Sequence, residues 1–265
     1  MKKKVFLSLV IFALLAVSLV ACKPEPANRL EAVQQAEKIV VGTSADYEPW
    51  EYKDEDDNFV GIDMLIMQEV ATRMGVEVEF QDLGFDTLVA AVETGKIDAV
   101  IAAMASTEER QEKVDFSIVY YAGDNVMVTT GDSGISFSDP LEAANYKVGT
   151  QSGTIMYYWL EDNLITPGLM DKENVMLYER NEQLVLDLEA GRVDIAIMDL
   201  EPGKQFMADE NFDIVELWRG PMDPNGQAIA IMKGEAELKA EIDKHLTDML
   251  AEGFIKGLLD EYDVE

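Results

Sequence analysis

The sequence predicts an α/β protein made of two similar lobes, between which the chain crosses twice. Short apolar runs alternate with stretches of helical periodicity, the pattern of helices packed on a sheet. Two segments of the first half, residues 41–43 and 88–101, recur in the same order in the second half as residues 148–150 and 184–197. Two turn-rich segments, residues 131–134 and 220–226, mark the expected crossings. Two crossings make a hinge, and such folds hold ligands in the cleft between the lobes.

The first 21 residues have the pattern of a targeting signal. Residues 2–4 are lysines and residues 5–20 are apolar apart from two serines, so we expect this segment to be removed or to act as an anchor. It ends in small residues directly before Cys22, and this ending resembles the lipobox of bacterial lipoproteins, whose cysteine is acylated. We predict a lipoprotein signal peptide at residues 1–21 and a lipid-anchored tether at residues 22–37. A plain signal peptide with an incidental cysteine, or an uncleaved transmembrane helix, is the alternative.

The charge and the cysteine count exclude several classes of protein. The chain has 21 Lys and Arg against 52 Asp and Glu, a net charge of −31 that becomes −34 without the three signal lysines. This charge argues against nucleic acid as a partner. It also argues against attraction to an anionic bilayer, so membrane association is expected to depend on lipid at Cys22. Because Cys22 is the one cysteine, no disulfide can form within one copy.

The first elements after the tether alternate between strand and helix. Residues 38–42 are strand-like, residues 64–74 have apolar side chains at helical spacing, and Gly75 follows as a C-terminal glycine would. Residues 76–80 are again strand-like. The acidic residues 54–58 lack the spacing of a calcium loop, so they predict a solvated hairpin tip and no metal site.

An internal repeat supports the two-lobe prediction. Residues 88–101 match residues 184–197 without a gap, each as a helix, a glycine and a buried strand. A shorter repeat pairs residues 41–43 with residues 148–150. Any strand–helix–strand unit has some of this pattern, but two repeats in the same order favour two lobes of similar construction.

The repeats and the crossings together give the lobe boundaries. We predict the first part of lobe 1 at residues 38–128 and lobe 2 at residues 129–226. Residues 227–265 return to lobe 1 with a strand, residues 228–232, and an amphipathic helix, residues 235–251.

Arg110 is the candidate for binding an anion. It lies in the first turn of a predicted helix that begins after Ser106 or Thr107, where backbone N–H groups and the positive end of the helix dipole collect. Its guanidinium can add a two-pronged contact to a carboxylate. The alternative is a surface arginine paired with Glu109 or Glu112.

Asp199 is the candidate for binding an ammonium group. It follows the buried strand at residues 193–198, and ligands collect at the carboxyl ends of strands. The alternative is a cap for the helix that begins near Glu201, and both roles can hold together.

Weaker signals surround these two charges. Residues 151–155 follow another strand, and Gly153 lets the backbone approach an anion closely. The aromatic residues Tyr47, Trp50 and Phe85 could line a ligand site, or could simply be core.

Six segments, taken in order, resemble the bacterial extracellular solute-binding proteins for polar amino acids, which are the binding components of ABC importers. The resemblance covers residues 39–262. The segments that carry it are residues 41–50, 61–63, 95–99, 107–117, 148–154 and 191–194.

The resemblance implies a periplasmic-binding-protein-like fold, two α/β lobes joined by a two-strand hinge. It implies a free amino acid as ligand, an ABC transporter membrane permease as partner, and a location outside the cytoplasm. No cofactor and no catalytic residue is expected, and we expect a monomer.

The resemblance also implies roles at the two charged ends of the ligand. Arg110 and the N–H groups of Ala105 and Ile155 would hold the carboxylate. Asp199 and the carbonyl of Ala103 would take the ammonium group.

The ligand side chain would lie between the positions of Tyr47 and Phe85, with Gln151 and Thr154 on the lobe 2 rim. The chain departs from the family at Ala105, where Ser or Thr is usual. Ser44 and Met198 occupy positions that often select the side chain, and both are neutral. Which amino acid is bound therefore stays open between glutamine, a cationic amino acid, cystine or another polar compound.

Two other functions remain possible on this fold. One is an enzyme, because a cyclohexadienyl dehydratase shares it, but the single histidine, His245, lies in a charged helix where we expect it to be solvated. The other is a ligand-sensing subunit of a membrane receptor, with the same binding chemistry and a different partner.

Overall fold

Two five-stranded sheets, one in each lobe, form the frame of the molecule. The computed structural model describes residues 25–222 and 225–264. The predicted signal peptide, Cys22 and the first residues of the predicted tether lie outside this range. Within it, no helix is both long enough and apolar enough to cross a bilayer.

Lobe 1 is built around the sheet with the strand order β5–β1–β6–β13–β7, numbered along the chain. A small antiparallel sheet, β2–β3–β4, lies beside it. The strands are β1 (Lys38–Thr43), β2 (Asp46–Tyr47), β3 (Glu51–Lys53), β4 (Phe59–Val60), β5 (Glu77–Asp82), β6 (Ala99–Val100), β7 (Val114–Phe116) and β13 (Ala230–Met232). The helices are α1 (Arg29–Ala36), α2 (Ile62–Met74), α3 (Phe85–Glu93), α4 (Glu108–Lys113), α8 (Ala236–Ala251) and α9 (Phe254–Glu261).

Lobe 2 has a sheet of the same plan, with the strand order β10–β9–β11–β8–β12. Its strands are β8 (Asn125–Thr130), β9 (Val148–Gln151), β10 (Val175–Tyr178), β11 (Ile195–Asp199) and β12 (Ile214–Gly220). Its α-helices are α5 (Ile155–Leu160), α6 (Asn181–Glu189) and α7 (Leu200–Ala208). A π-helical turn (Glu161–Ile165) continues α5, and short 3₁₀ turns lie at Pro140–Asn145 and Lys172–Asn174.

The two sheets share their hydrogen-bonding pattern as well as their strand order. In lobe 1, β1 is parallel to β5 and β6, and β13 is antiparallel to β6 and β7. In lobe 2, β9 is parallel to β10 and β11, and β8 is antiparallel to β11 and β12. The mixed α/β fold with two lobes is therefore as predicted.

The internal repeat has a packing reason. Gly42 of β1 lies under α3, and a side chain there would meet Ile97 at 2.5 Å and Leu88 at 3.0 Å. Gly149 of β9 lies in the same way under α6, 2.3 Å from Leu184. The repeated glycine lets each helix approach its strand closely.

The predicted boundary of lobe 2 at residue 129 is wrong, because β8 belongs to the second sheet. Val126 and Val128 pack into one core layer of lobe 2 and Met127 into the other, so lobe 2 begins at Asn125. The turn at residues 131–134 stays within lobe 2 and is not a crossing. The first crossing is at residues 121–124 and the second follows Gly220.

The predicted tether is shorter than expected, because its second half is helix α1. Asn28 caps this helix by accepting a hydrogen bond from the N–H of Glu31 at 2.9 Å. Arg29 forms an ion pair with Asp98, and Val33 is buried against lobe 1. The part of the chain that could act as a spacer ends at Asn28.

Candidate ligand-binding site

A cavity lies where the two lobes and both crossings meet. The structure places all nine predicted ligand-binding residues on its wall; their roles in binding stay predictions. They are Tyr47, Phe85, Ala103, Ala105 and Arg110 from lobe 1 and Gln151, Thr154, Ile155 and Asp199 from lobe 2.

The crossings meet at Gln227. Its N–H donates to the carbonyl of Tyr121 at 2.7 Å, and its carbonyl accepts from the N–H of Tyr120 at 3.0 Å. The two connecting segments therefore lie side by side behind the cavity, where a change in a few dihedral angles can open the lobes.

Arg110 reaches from lobe 1 to lobe 2. Thr107 caps helix α4 by accepting a hydrogen bond from the backbone N–H of Arg110. The buried guanidinium donates to the carbonyl of Ala105 at 2.7 Å and to the carbonyl of Gly153 at 2.9 Å, and lies over the ring of Phe85. These contacts differ from the alternative expectation, in which Arg110 lies on the surface and pairs with Glu109 or Glu112.

Asp199 lies at the opposite wall, after β11. It stands at the N-cap position of α7, but its side chain does not cap that helix; instead it accepts a hydrogen bond from Asn125 at 2.6 Å. Its backbone N–H donates to the hydroxyl of Tyr47 across the cleft at 2.9 Å. Burial raises the pKa of Asp199 to about 7, against the opposing effects of Tyr47, Arg110 and Asn125.

A second acidic group lies under the lobe 1 wall. Asp63, at the start of α2, accepts from the N–H of Ala103 at 2.7 Å and from the hydroxyl of Tyr120 at 2.8 Å. Ala103, whose N–H is bound by Asp63, has a φ of 45°, a left-handed conformation that non-glycine residues rarely adopt. Burial raises the pKa of Asp63 to about 6.

Sequence reasoning missed several polar residues of the cavity. Glu51, Asn125 and Gln227 line it and are buried. Glu51 directly follows the predicted aromatic Trp50, which also lines the cavity, but nothing in the sequence distinguishes it from the other carboxylates of that segment. Asn125 was missed because β8 was assigned to the wrong lobe.

The rim of lobe 2 closes on lobe 1 at Gly153. This glycine has a φ of 75°, and a side chain there would lie 3.0 Å from Cβ of Asp86 on lobe 1. Thr154 donates to the carbonyl of Gln151 at 2.8 Å, which shapes the turn before α5. The contact with Asp86 shows that the structure is a closed arrangement of the lobes.

Arg180 forms a second link between the lobes, outside the cavity. Its guanidinium, on lobe 2, lies 2.9 Å from Asp82 and 3.4 Å from Asp46 on lobe 1. The N–H of Asn181 donates to Asp46 at 2.7 Å. We call Arg180, Asp82 and Asp46 the closure triad.

Two further expectations differ from the structure. Met198 packs in the core of lobe 2 and is not among the cavity residues, whereas Ser44 is. His245 is buried, with 6% of its surface exposed, and lies 2.9 Å from Glu241 on its own helix α8. It was expected to be solvated, but it faces the interior of lobe 1 because it occupies the apolar side of the helix with Ile242 and Met249.

Comparison with known proteins agrees with this architecture. The chain is 31% identical over 256 residues to the arginine-binding extracellular protein ArtP of Bacillus subtilis, covering 96% of both chains. A mutant of ArgBP from T. maritima superposes with a TM-score of 0.80 at 28% identity, over 89% of this chain and 100% of that one. By their descriptions these relatives are binding proteins.

A third comparison bears on the enzyme alternative. The ancestral amino acid-binding protein AncCDT-1, described as a precursor of cyclohexadienyl dehydratase, has a TM-score of 0.77 at 26% identity, over 89% of this chain and 99% of that one. Residues 39–264 match the sequence model of the bacterial extracellular solute-binding proteins, family 3. With the match covering both lobes, the chain belongs to this family.

Proposed function

We propose that the protein binds a free polar α-amino acid outside the cytoplasm and delivers it to the membrane permease of an ABC importer. The observation that carries this proposal is the pair of opposite charges in one cavity, Arg110 from lobe 1 and Asp199 from lobe 2. A zwitterion offers a carboxylate and an ammonium on one carbon, so it can satisfy both walls at once.

Each end of the zwitterion has a set of partners. The guanidinium of Arg110 takes the carboxylate, with the N–H groups of Ala105 and Ile155. Asp199 takes the ammonium group, with the carbonyl of Ala103. These groups come from different lobes, so a bound amino acid favours the closed arrangement over the open one.

The rest of the cavity surrounds the ligand side chain. Tyr47 and Phe85 line the lobe 1 side, and the hydroxyl of Tyr47 already bridges to the backbone of Asp199. Gln151 and Thr154 form the lobe 2 rim. In this proposal no covalent bond is made or broken, and the protein functions by closing around the ligand and releasing it.

Binding of a zwitterion is tested most directly with blocked ligands. A thermal-shift screen of the common amino acids identifies the ligand, and saturation at 100 times the Kd should stabilise the fold by about 2.7 kcal/mol, or roughly 5–10 °C in Tm for a chain of this size. The N-acetyl and methyl ester derivatives of that ligand each lack one charge. Both should lose binding in calorimetry; a derivative that binds as well as the parent amino acid would refute the site.

Delivery and anchoring need separate measurements. Mass spectrometry of the N-terminal peptide should find a lipid on Cys22, and an unacylated terminus would contradict the anchor. Cross-linking in cells should recover an ABC permease. Recovery of a sensor receptor instead would favour the ligand-sensing alternative. We expect a monomer in solution, which light scattering measures.

The enzyme alternative is tested by turnover of prephenate or arogenate. AncCDT-1, an amino acid-binding protein, is described as a precursor of cyclohexadienyl dehydratase. Here His245 lies in α8 and is not among the cavity residues, so we expect no turnover.

A further inference from the structure

Asn125 lies directly opposite Asp199 in the sheet of lobe 2. Strands β8 and β11 are antiparallel neighbours, and their register pairs these two residues. The side-chain amide of Asn125 donates a hydrogen bond to the carboxylate of Asp199 at 2.6 Å. Asn125 is 2% exposed and lines the same cavity. The carboxylate that is the candidate for ammonium binding therefore has a buried donor on its own lobe.

The second crossing fixes the orientation of this amide. Its oxygen accepts a hydrogen bond from the backbone N–H of Met222 at 2.9 Å, two residues beyond the end of β12. A backbone N–H can only donate, so the amide oxygen must face Met222 and the amide nitrogen must face Asp199. Because Asn125 itself directly follows the first crossing, one side chain joins both crossings to Asp199.

Charged and titratable groups surround Asp199 on both lobes. Those that act on it from lobe 1 are Tyr47 of β2, Glu51 of β3, Arg110 of α4 and Tyr120 after β7. On lobe 2, the cavity wall also contains Asp124, before β8, and Glu201 of α7, which is paired with Lys204 at 3.1 Å.

Asn125 differs from the lobe 1 groups in what happens to it when the lobes open. Burial raises the pKa of Asp199, and Tyr47, Arg110 and Asn125 oppose this rise. Opening carries Tyr47 and Arg110 away from Asp199, because both belong to lobe 1. Asn125 stays, because a cross-strand pair in one sheet moves as a unit.

We propose that Asn125 is a positioning residue for ammonium binding, which keeps the carboxylate of Asp199 ionised and aimed into the cleft before the lobes close. This inference rests on the proposed function, because it requires that Asp199 takes the ammonium group of an amino acid. A hydrogen bond donated to a carboxylate stabilises its charged form. Asn125 therefore acts through Asp199, and a contact within lobe 2 is in place before the ligand arrives.

Replacing Asn125 by leucine removes the donor at a similar side-chain size. Asp199 loses a hydrogen bond to its charged form, so it should take up a proton about 1 pH unit higher than in the wild type. In calorimetry with the ligand found by the screen, Asn125→Leu should bind about tenfold more weakly than the wild type at pH 6 and within about twofold of it at pH 8.5.

Asn211→Leu is the matched control. Asn211 also donates from its side chain to a neighbouring aspartate, Asp209, at 2.7 Å. This pair is exposed, and Asn211 is not among the cavity residues. The control should keep the wild-type affinity at each pH.

A second variant covers the case in which Asn125→Leu does not fold. Asn125→Asp has the same size and keeps an oxygen for the N–H of Met222. Two adjacent buried carboxyl groups share one proton, and a carboxyl O–H donates a stronger hydrogen bond to a carboxylate than an amide does. The fall in affinity should therefore begin at or below the wild-type pH, the opposite direction to leucine.

The shape of these profiles separates a positioning role from a structural one. A structural role alone would weaken binding by the same factor at every pH. Parallel profiles of a folded variant and the wild type, or a wild-type affinity that does not change between pH 6 and 8.5, overturn this inference and leave zwitterion binding intact. Failure of the wild type to bind any zwitterion overturns the proposed function and this inference with it.

Discussion

Replacing Arg110 by alanine removes the one side chain that is predicted to hold the ligand's carboxylate and is also seen to join the lobes. The guanidinium donates within lobe 1 to Ala105 and across the cleft to Gly153, at 2.7 and 2.9 Å. It is 6% exposed, so its contacts are made in an environment from which most water is excluded. Alanine keeps the backbone of α4 and its Thr107 cap.

The expected loss follows from the groups left unpaired. A bound carboxylate would lose its charged partner and stay desolvated, and closure would lose the hydrogen bond to Gly153. These effects cost about 2–4 kcal/mol of binding free energy, which is about a 30- to 700-fold rise in Kd. The loss is a truncation cost and includes the reorganisation of both lobes.

Isothermal calorimetry with the ligand found by the screen measures this change, and a far-ultraviolet spectrum confirms that the variant is folded. Arg73→Ala is the matched control. Arg73 lies on α2, paired with Glu69 and Glu252 at 2.7 Å each, and is not among the cavity residues. Its replacement should leave Kd unchanged. A folded Arg110→Ala variant with wild-type affinity would show that the carboxylate is held elsewhere.

Three further predictions follow from the site. Burial raises the pKa of Asp199 to about 7, and an ammonium partner needs the carboxylate form. Affinity should therefore fall about tenfold per pH unit below 7 and stay level above it, and Asp199→Asn should lose this slope. Calorimetry from pH 5 to 8 measures the profile, and a flat wild-type profile counts against Asp199. Arg180→Ala breaks the closure triad, a partly buried set of ion pairs worth about 1 kcal/mol, so Kd should rise about fivefold. Small-angle scattering should show a more open ligand-free form, and an unchanged scattering profile would contradict the triad's role. Gly153→Ala places a side chain 3.0 Å from Cβ of Asp86 on the other lobe, so closure should cost about 1–3 kcal/mol and affinity should drop about 5- to 140-fold. Gly168→Ala, with the same φ of 75° and no neighbour within 4 Å, should bind normally.

The internal repeat made much of the fold predictable from the sequence. Residues 88–101 and 184–197 encode the same helix, glycine and strand, and the structure places β6 and β11 third in their sheets. The first crossing was not predictable in this way. Gly131 and Gly134 have the composition of a linker, but the actual crossing contains Tyr121 and only one glycine, and composition does not distinguish a turn within a lobe from a connection between lobes.

The candidate site was predictable from the sequence where a charged residue directly follows a strand or lies in the first turn of a helix. Arg110 and Asp199 stand at such positions, and the resemblance supplied the rest. Glu51 and Gln227 were not predictable, because their place in the cavity wall depends on how β3 and the second crossing meet in space. The closure triad was missed for the same reason, since Arg180 and Asp46 are 134 positions apart.

Strand β13 is the last strand to be synthesised, yet it lies inside the first sheet, between β6 and β7. Until residues 230–232 leave the ribosome, β7 has no strand beside it, whereas every strand of lobe 2 has already been made. Lobe 2 is thus an insertion that can finish its own sheet while lobe 1 waits. Chains arrested on the ribosome should show protease resistance first in the middle of the sequence, the reverse of the usual order in which N-terminal domains fold first.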